Sequence, residues 1–181
     1  MNQMQAKSKN EIQTDESLTL QEERELYDFI LLEAQYADES RYTEWESLWV
    51  DDKDACYWVP MDHKKMDPNR HSSLLYDNRA RIATRIRQLN TGNRWAQIPP
   101  SPMRRVISNM IYRRGSAERL YEVESNFILV ELAVQSTHNL NIFAGRTLHI
   151  IRREADNLKL HTKRIMLVNS AEPISSIAFI I

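Results

Sequence analysis

The sequence of 181 residues contains one cysteine, Cys56, and only three glycines. A single cysteine excludes a disulfide scaffold and a cysteine-based zinc site within the chain, and it favours a reducing compartment such as the cytoplasm. The glycines, Gly92, Gly115 and Gly145, lie far apart along the chain. Phosphate-binding loops and dinucleotide-binding fingerprints need several glycines close together, so both are excluded.

The sequence also lacks any apolar run of about 18 residues, the length that a membrane-spanning helix requires. Its 24 basic and 25 acidic residues give a net charge of −1, so no overall field selects nucleic acid or an anionic membrane as a partner. The first 17 residues are polar and without the apolar segment of a secretory signal. We expect them to form a flexible or partner-draped arm before a single domain over residues 18–181.

Three helices are predicted in the first half of the chain. Thr19 and Glu22 have the spacing of a capping box at the start of the first helix. A second helix is predicted from about Ser40, and a third is predicted to be capped by Asp77 and to end near Gly92. The apolar residues at helical spacing are Leu26, Phe29, Ile30, Ala34 and Ala37, then Trp45, Leu48 and Trp49, then Ile82, Ile86 and Leu89.

Strands dominate the prediction for the rest. A short strand over 55–59 ends at Pro60, a loop follows over 61–70, and the proline-rich stretch 95–102 is not expected to be regular. Further strands are predicted over 104–112, 121–136, 141–153, 158–168 and 175–181. Helices followed by a run of strands indicate an α+β domain with a curved antiparallel sheet and the helices on one face.

Two of these strands lose the usual alternation of polar and apolar residues. Residues after Phe127 and after Arg164 are almost continuously apolar, and so is the end of the chain. Strands that are apolar on both faces need cover on both sides. A second chain could supply the outer cover, or the sheet could curl around its own core. The interface candidates are Ile128, Val130, Leu132, Ile165, Leu167, Ile177, Phe179 and Ile181.

Catalytic and metal-binding patterns are missing. A mononuclear iron site needs two histidines and a carboxylate, yet the five histidines, at positions 63, 71, 138, 149 and 161, show no ligand spacing. A Rieske cluster needs two cysteines. We therefore expect no catalytic residue, cofactor or metal in this chain, and Cys56 is interpreted as an inert core thiol. The acidic residues at positions 51, 52 and 54 favour a turn over a general base.

An ordered set of segments resembles the small (β) subunits of aromatic-ring-hydroxylating dioxygenases over about residues 18–181. The set, and not any single motif, carries the resemblance. Its clearest members are Tyr57-Trp58-Val59-Pro60, Tyr76-Asp77-Asn78-Arg79-Ala80-Arg81, Arg87-Gln88-Leu89-Asn90-Thr91-Gly92, Ser125-Asn126-Phe127, Phe143-Ala144-Gly145-Arg146 and Ile177-Ala178-Phe179-Ile180-Ile181.

The resemblance implies a cone-like fold of the nuclear transport factor 2-like, cystatin-like kind. It also implies a non-catalytic structural subunit of a multicomponent aromatic dioxygenase, assembled with copies of itself and with a catalytic α subunit, often as α3β3. The α subunit would carry the Rieske [2Fe-2S] cluster and the mononuclear Fe(II), with electrons drawn ultimately from NADH. The polar stretch 62–70 departs from the family pattern.

A stand-alone isomerase or dehydratase built on the same cone is the alternative. It would use an acid and a base chosen from Tyr42, Asp51, Asp52 and His63, facing an open cavity. If aromatic side chains such as Trp45 fill the cone, this alternative fails.

Overall fold

The computed structural model describes residues 17–62, 67–68, 70–92, 99–134, 138–174 and 177–181. The predicted N-terminal arm therefore lies outside the described residues except for its last position. Within them there are three helices, α1 (Leu20–Asp38), α2 (Tyr42–Ser47) and α3 (Arg79–Asn90). The six strands are β1 (Cys56–Pro60), β2 (Ser73–Asn78), β3 (Met103–Arg114), β4 (Leu120–Leu132), β5 (Leu140–Glu154) and β6 (Asn157–Leu167).

Helix α1 begins as predicted. The Thr19 hydroxyl accepts a hydrogen bond from the Glu22 amide, and the Glu22 carboxylate accepts one from the Thr19 amide, so two amides at the helix start are satisfied. The predicted apolar face is buried over Leu26, Phe29, Ile30, Ala34 and Ala37. Glu33 lies on the same buried face, which the apolar pattern does not predict.

The structure corrects the prediction at three places. Asn78, not Asp77, caps α3, because its side chain accepts from the Arg81 amide. Asp77 instead belongs to β2, which the sequence did not predict, and its carboxylate accepts from Arg85 at 2.6 Å. Residues 177–181 do not form the predicted final strand.

The six strands form one sheet in the order β2-β1-β6-β5-β4-β3. All neighbouring pairs are antiparallel except β1 and β6, which are parallel. The α1 side chains reach one side of this sheet, the inner face, where Glu33 meets Lys163 and Asp38 meets Arg105. The α+β prediction, with helices covering one face of a curved sheet, is confirmed.

Gly145 allows β5 and β6 to lie unusually close together. A Cβ atom at this position would overlap the carbonyl oxygen of Met166 and approach the backbone of Leu167. Only glycine leaves room for such an approach of two backbones. Irregular pairing at Ser108/Ile111 of β3 and at Ile150/Ile151 of β5 adds to the curvature, since bulges bend and twist strands.

Candidate functional site: the outer sheet face and the buried interior

The side of the sheet opposite the helices, the outer face, carries a continuous set of apolar side chains. Val106 pairs with Ile128, Ile128 with Ala144, and the Val168 amide donates to the Ala144 carbonyl. Val130 pairs with Ile142, and Leu132 with Leu140. We call the outer apolar patch the set Val106, Ile128, Val130, Leu132, Leu140, Ile142, Ala144 and Val168.

Several members of the outer apolar patch are open to solvent. The exposed fractions are 51% for Ile128, 68% for Ile142 and 78% for Val168. A groove of about 520 Å³ is lined by two members of the patch, Ala144 and Val168, and by Gly145, Met166 and Arg146 beside them. Contiguous exposed apolar residues of this kind are typical of surfaces that bind other proteins.

The eight predicted interface candidates fall into three groups. Ile128, Val130 and Leu132 belong to the outer apolar patch, whereas Ile177 is partly buried and packs against the core. The other four lie in the chain's own core: Ile165, Leu167, Phe179 and Ile181. For these four, the curvature of the sheet and the last residues of the chain account for the apolar sequence without a partner.

The predicted interface candidates omit five of the eight members of the outer apolar patch, namely Val106, Leu140, Ile142, Ala144 and Val168. Single strands do not reveal which side chains become neighbours. The signal that would have found them is the register, because these residues lie opposite or beside the predicted run from Ile128 to Leu132.

The inner face holds a buried ion pair. Glu33 of α1 accepts from Lys163 of β6 at 2.8 Å and from the indole N–H of Trp45 of α2. Both charged side chains are only 2% exposed. Burial alone would raise the pKa of Glu33, but the neighbouring charges, Lys163 foremost among them, and the hydrogen bond from Lys163 together outweigh it and lower this pKa to about 2. The pair ties α1 to the centre of the sheet.

His149 lies beside this pair and has no hydrogen bond among the described residues. Both of its ring nitrogens are buried and unpartnered. Burial lowers the pKa of His149 to about 3, although the Glu33 carboxylate 4.0 Å away acts in the opposite direction. The ring is therefore neutral, and its approach to Glu33 is not an ion pair.

Aromatic side chains fill the rest of the cone. The Trp45, Trp49 and Tyr57 rings contact one another at centroid distances of 5.4–6.2 Å, and all three are buried, as is Phe127. The cavity left beside His149 has a volume of about 10 Å³. This is about the space that one water molecule needs. A substrate of ordinary size does not fit.

The acid–base candidates of the isomerase alternative do not meet in this interior. Asp52 is bound to Arg152 at 3.0 Å, and its pKa is lowered by the Asp54 amide and by Arg152. Tyr42 donates to the Ser40 hydroxyl, Asp51 is exposed, and His63 lies outside the described residues. Burial raises the pKa of Cys56 to about 11, which is typical of an inert thiol.

A metal-binding cluster and a membrane-spanning helix are both absent from the described part of the chain. No three histidine, cysteine or acidic side chains there lie close enough to hold a metal ion. Across the same residues, none of the helices combines the length and the hydropathy that crossing a bilayer demands.

A curved sheet packed against helices, with a filled interior, defines a cone-like α+β fold. Among solved structures, a putative scytalone dehydratase from Novosphingobium aromaticivorans shares this fold, with a TM-score of 0.60 and 15% identity over 87% of this chain and 96% of that one. The β subunit of benzoate 1,2-dioxygenase from Burkholderia mallei matches with a TM-score of 0.68 and 19% sequence identity. This match covers 91% of this chain and 99% of that one.

Sequence comparison gives the family. The model of the ring hydroxylating beta subunit family matches residues 32–172, so the chain belongs to that family. The biphenyl 2,3-dioxygenase subunit beta of Rhodococcus jostii is 26% identical over 85% of each chain. The benzene 1,2-dioxygenase subunit beta of Pseudomonas putida is 27% identical over 75% of each. The N,N-dimethyl phenylurea N-demethylase subunit beta of a Sphingobium strain is 26% identical over 79% of this chain and 81% of its own.

Proposed function

We propose that this chain is the non-catalytic structural subunit of the terminal oxygenase component of an aromatic-ring-hydroxylating dioxygenase. Membership of the β-subunit family carries this proposal. The partner α subunit would hold the Rieske cluster and the mononuclear iron and would perform the dihydroxylation in aromatic catabolism. Because the electrons would come from NADH through a reductase, we propose that the assembly is cytoplasmic.

The outer apolar patch supports an assembly role. We propose that it packs against other copies of this chain within an α3β3 complex. The groove beside Gly145 could receive an apolar side chain of the neighbour, and burying the exposed members of the patch would provide the hydrophobic free energy of association. Residues 18–181 would act as one unit in that complex, with the N-terminal arm available to drape over a partner.

The relatives act on different molecules, so their names do not fix one substrate for this chain. Biphenyl, benzene and a dimethyl phenylurea already differ in shape and in the bond that reacts. We propose only the class, an aromatic compound. The isomerase or dehydratase alternative is not favoured, because the interior is filled and its candidate residues are dispersed.

Co-expression with a candidate catalytic α subunit from the same organism tests the proposal. Native mass spectrometry of the purified complex should show both chains in equal numbers, and iron should follow the α subunit. This chain purified alone should contain no stoichiometric iron and should not oxidise arenes. A chain that binds no α subunit, or that hydroxylates an arene alone, would overturn the proposal.

A further inference from the structure

The inner face of the sheet holds a buried polar side chain that no contact satisfies. His149 of β5 is only 2% exposed, and both of its ring nitrogens are without a hydrogen-bond partner among the described residues. A carboxylate oxygen of Glu33 lies 4.0 Å from Nε2 of this ring, which is too long for a direct hydrogen bond. Leaving a buried polar group unpartnered costs free energy, and polar groups at such a distance are often joined through a third group.

A small cavity adjoins both of these side chains. Its lining includes Glu33, Ser125, Thr147, His149 and Lys163, and its volume is about 10 Å³. One water molecule needs about this space. The size of the cavity therefore excludes any larger ligand.

The sheet brings two hydroxyl groups to the same cavity. Thr147 and His149 are two residues apart on β5, so both side chains point to the inner face. Ser125 of β4 pairs directly with Thr147, and such cross-strand neighbours have Cβ atoms about 5 Å apart. Ser125 and Thr147 are both buried, and each hydroxyl can donate and accept a hydrogen bond. A buried water molecule typically makes about three hydrogen bonds, and this cavity offers enough polar groups for them.

The charges around the cavity are already paired with one another. Lys163 is bound to Glu33 at 2.8 Å, and Arg105, which also lines the cavity, is bound to Asp38 at 2.7 Å. An ion would therefore enter the interior without a counter-charge of its own. The group that fits is a neutral molecule of the size of water that both donates and accepts hydrogen bonds.

We propose that this cavity is a binding site for one structural water molecule, which bridges Nε2 of His149 to the Glu33 carboxylate and contacts the hydroxyls of Ser125 and Thr147. The water donates to Glu33, because an ionised carboxylate can only accept. This bridge connects α1 with β5 and β4, whereas the direct ion pair connects α1 with β6. The site is independent of the assembly role, since its lining lies on the inner side of the sheet.

A high-resolution crystal structure of the purified full chain tests the site directly. Density for one water molecule is expected within hydrogen-bond distance of both Nε2 of His149 and a carboxylate oxygen of Glu33. A His149 ring in direct contact with Glu33, or the absence of such density, would overturn the proposal.

Solution NMR gives an independent measurement on the same chain. Nuclear Overhauser effects between water and the carbon-bound ring hydrogens of His149 should have the sign of a long-lived bound water. Effects between water and the methyl groups of Ile181, which is buried and lines the cavity, should be lost in His149→Leu. Their persistence in that variant would overturn the bridge.

The control removes a buried hydroxyl elsewhere. Ser101 donates to Glu131 and does not line this cavity, so Ser101→Ala should leave the water signal at Ile181 unchanged. Loss of the signal in both variants would overturn its assignment to this cavity. Should His149→Leu fail to fold, the ring hydrogens of the unaltered chain decide, and no effect from water on them would overturn the proposal.

Discussion

Charged groups lie inside this molecule and aliphatic groups lie outside it, on opposite faces of the same sheet. Glu33 and Lys163 are almost fully buried on the inner face, whereas Ile142 and Val168 are mostly exposed on the outer face. The inner charges are acceptable because they are paired and hydrogen-bonded. The outer aliphatic residues have no such compensation within the described chain, and this difference agrees with the proposal that the inner face stabilises the fold and the outer face binds other chains.

The largest expected effect comes from breaking the inner pair. Lys163→Met should lower the free energy of unfolding by about 3–5 kcal/mol, because it leaves the buried Glu33 carboxylate without a counter-charge. Denaturant unfolding followed by fluorescence measures it. Adding Glu33→Gln should recover part of the loss, since Gln can still accept from Trp45. The exposed pair Arg24–Asp28 is the control, and Arg24→Met should cost less than about 0.5 kcal/mol.

A smaller loss is expected where β5 and β6 approach. Gly145→Ala should cost about 1–3 kcal/mol, because the new methyl group overlaps the Met166 carbonyl and forces the two strands apart. The same unfolding measurement applies. Gly92 has open space around it, so Gly92→Ala should cost only the strain of its positive φ, about 1 kcal/mol. Equal losses at the two glycines would contradict the close approach.

The inner face should also make stability depend on pH. The pKa of His149 is about 3 in the folded chain against an ordinary 6.5. Below pH 6.5 the unfolded chain binds a proton at His149 and the folded chain does not, so stability falls as the pH is lowered. Between pH 6.5 and 5 the loss should approach about 2 kcal/mol. Unfolding titrations at several pH values measure it, and His149→Leu should flatten the curve; an unchanged slope would contradict a buried neutral ring.

The smallest effect on folding, and the largest on assembly, is expected at the outer apolar patch. Ile142→Asp should change the unfolding free energy of the isolated chain by less than about 0.5 kcal/mol, since the side chain is mostly exposed. In the complex it should disrupt association by burying a charge in an apolar contact. Sedimentation of the complex measures this. Leu20→Asp, at an exposed position on α1, is the control, and loss of assembly in both variants would argue against the patch.

The sequence predicted the elements that depend on local patterns. Residues close together in the sequence determine the capping box at Thr19, the apolar face of α1 and the long strands. Strand β2 was missed because its alternation is short and follows a polar loop. Glu33 could not be recognised as buried, because its partner Lys163 lies 130 residues away in the chain.

The candidate site likewise combines a feature that the local sequence predicts with features that only the tertiary structure reveals. A run of apolar residues from Ile128 shows that some surface needs cover, but the run is equally compatible with burial inside the chain. Only the register across β4, β5 and β6 separates Ile142, which is exposed, from Ile165, which is buried. The family resemblance predicts that the chain associates with other chains. The tertiary structure indicates which face of the sheet is exposed for such contacts.

The parallel pairing of β1 with β6 has a consequence for how the chain folds. Tyr57 and its partner Lys163 are separated by more than half of the sequence, so this junction closes one of the longest loops of the chain. Contacts between distant residues slow folding. Strands β1 and β2 can join the sheet only after β6 has been synthesised. Until then the apolar surfaces of the long strands are exposed to aggregation, so the supply of partner chains should matter most during synthesis.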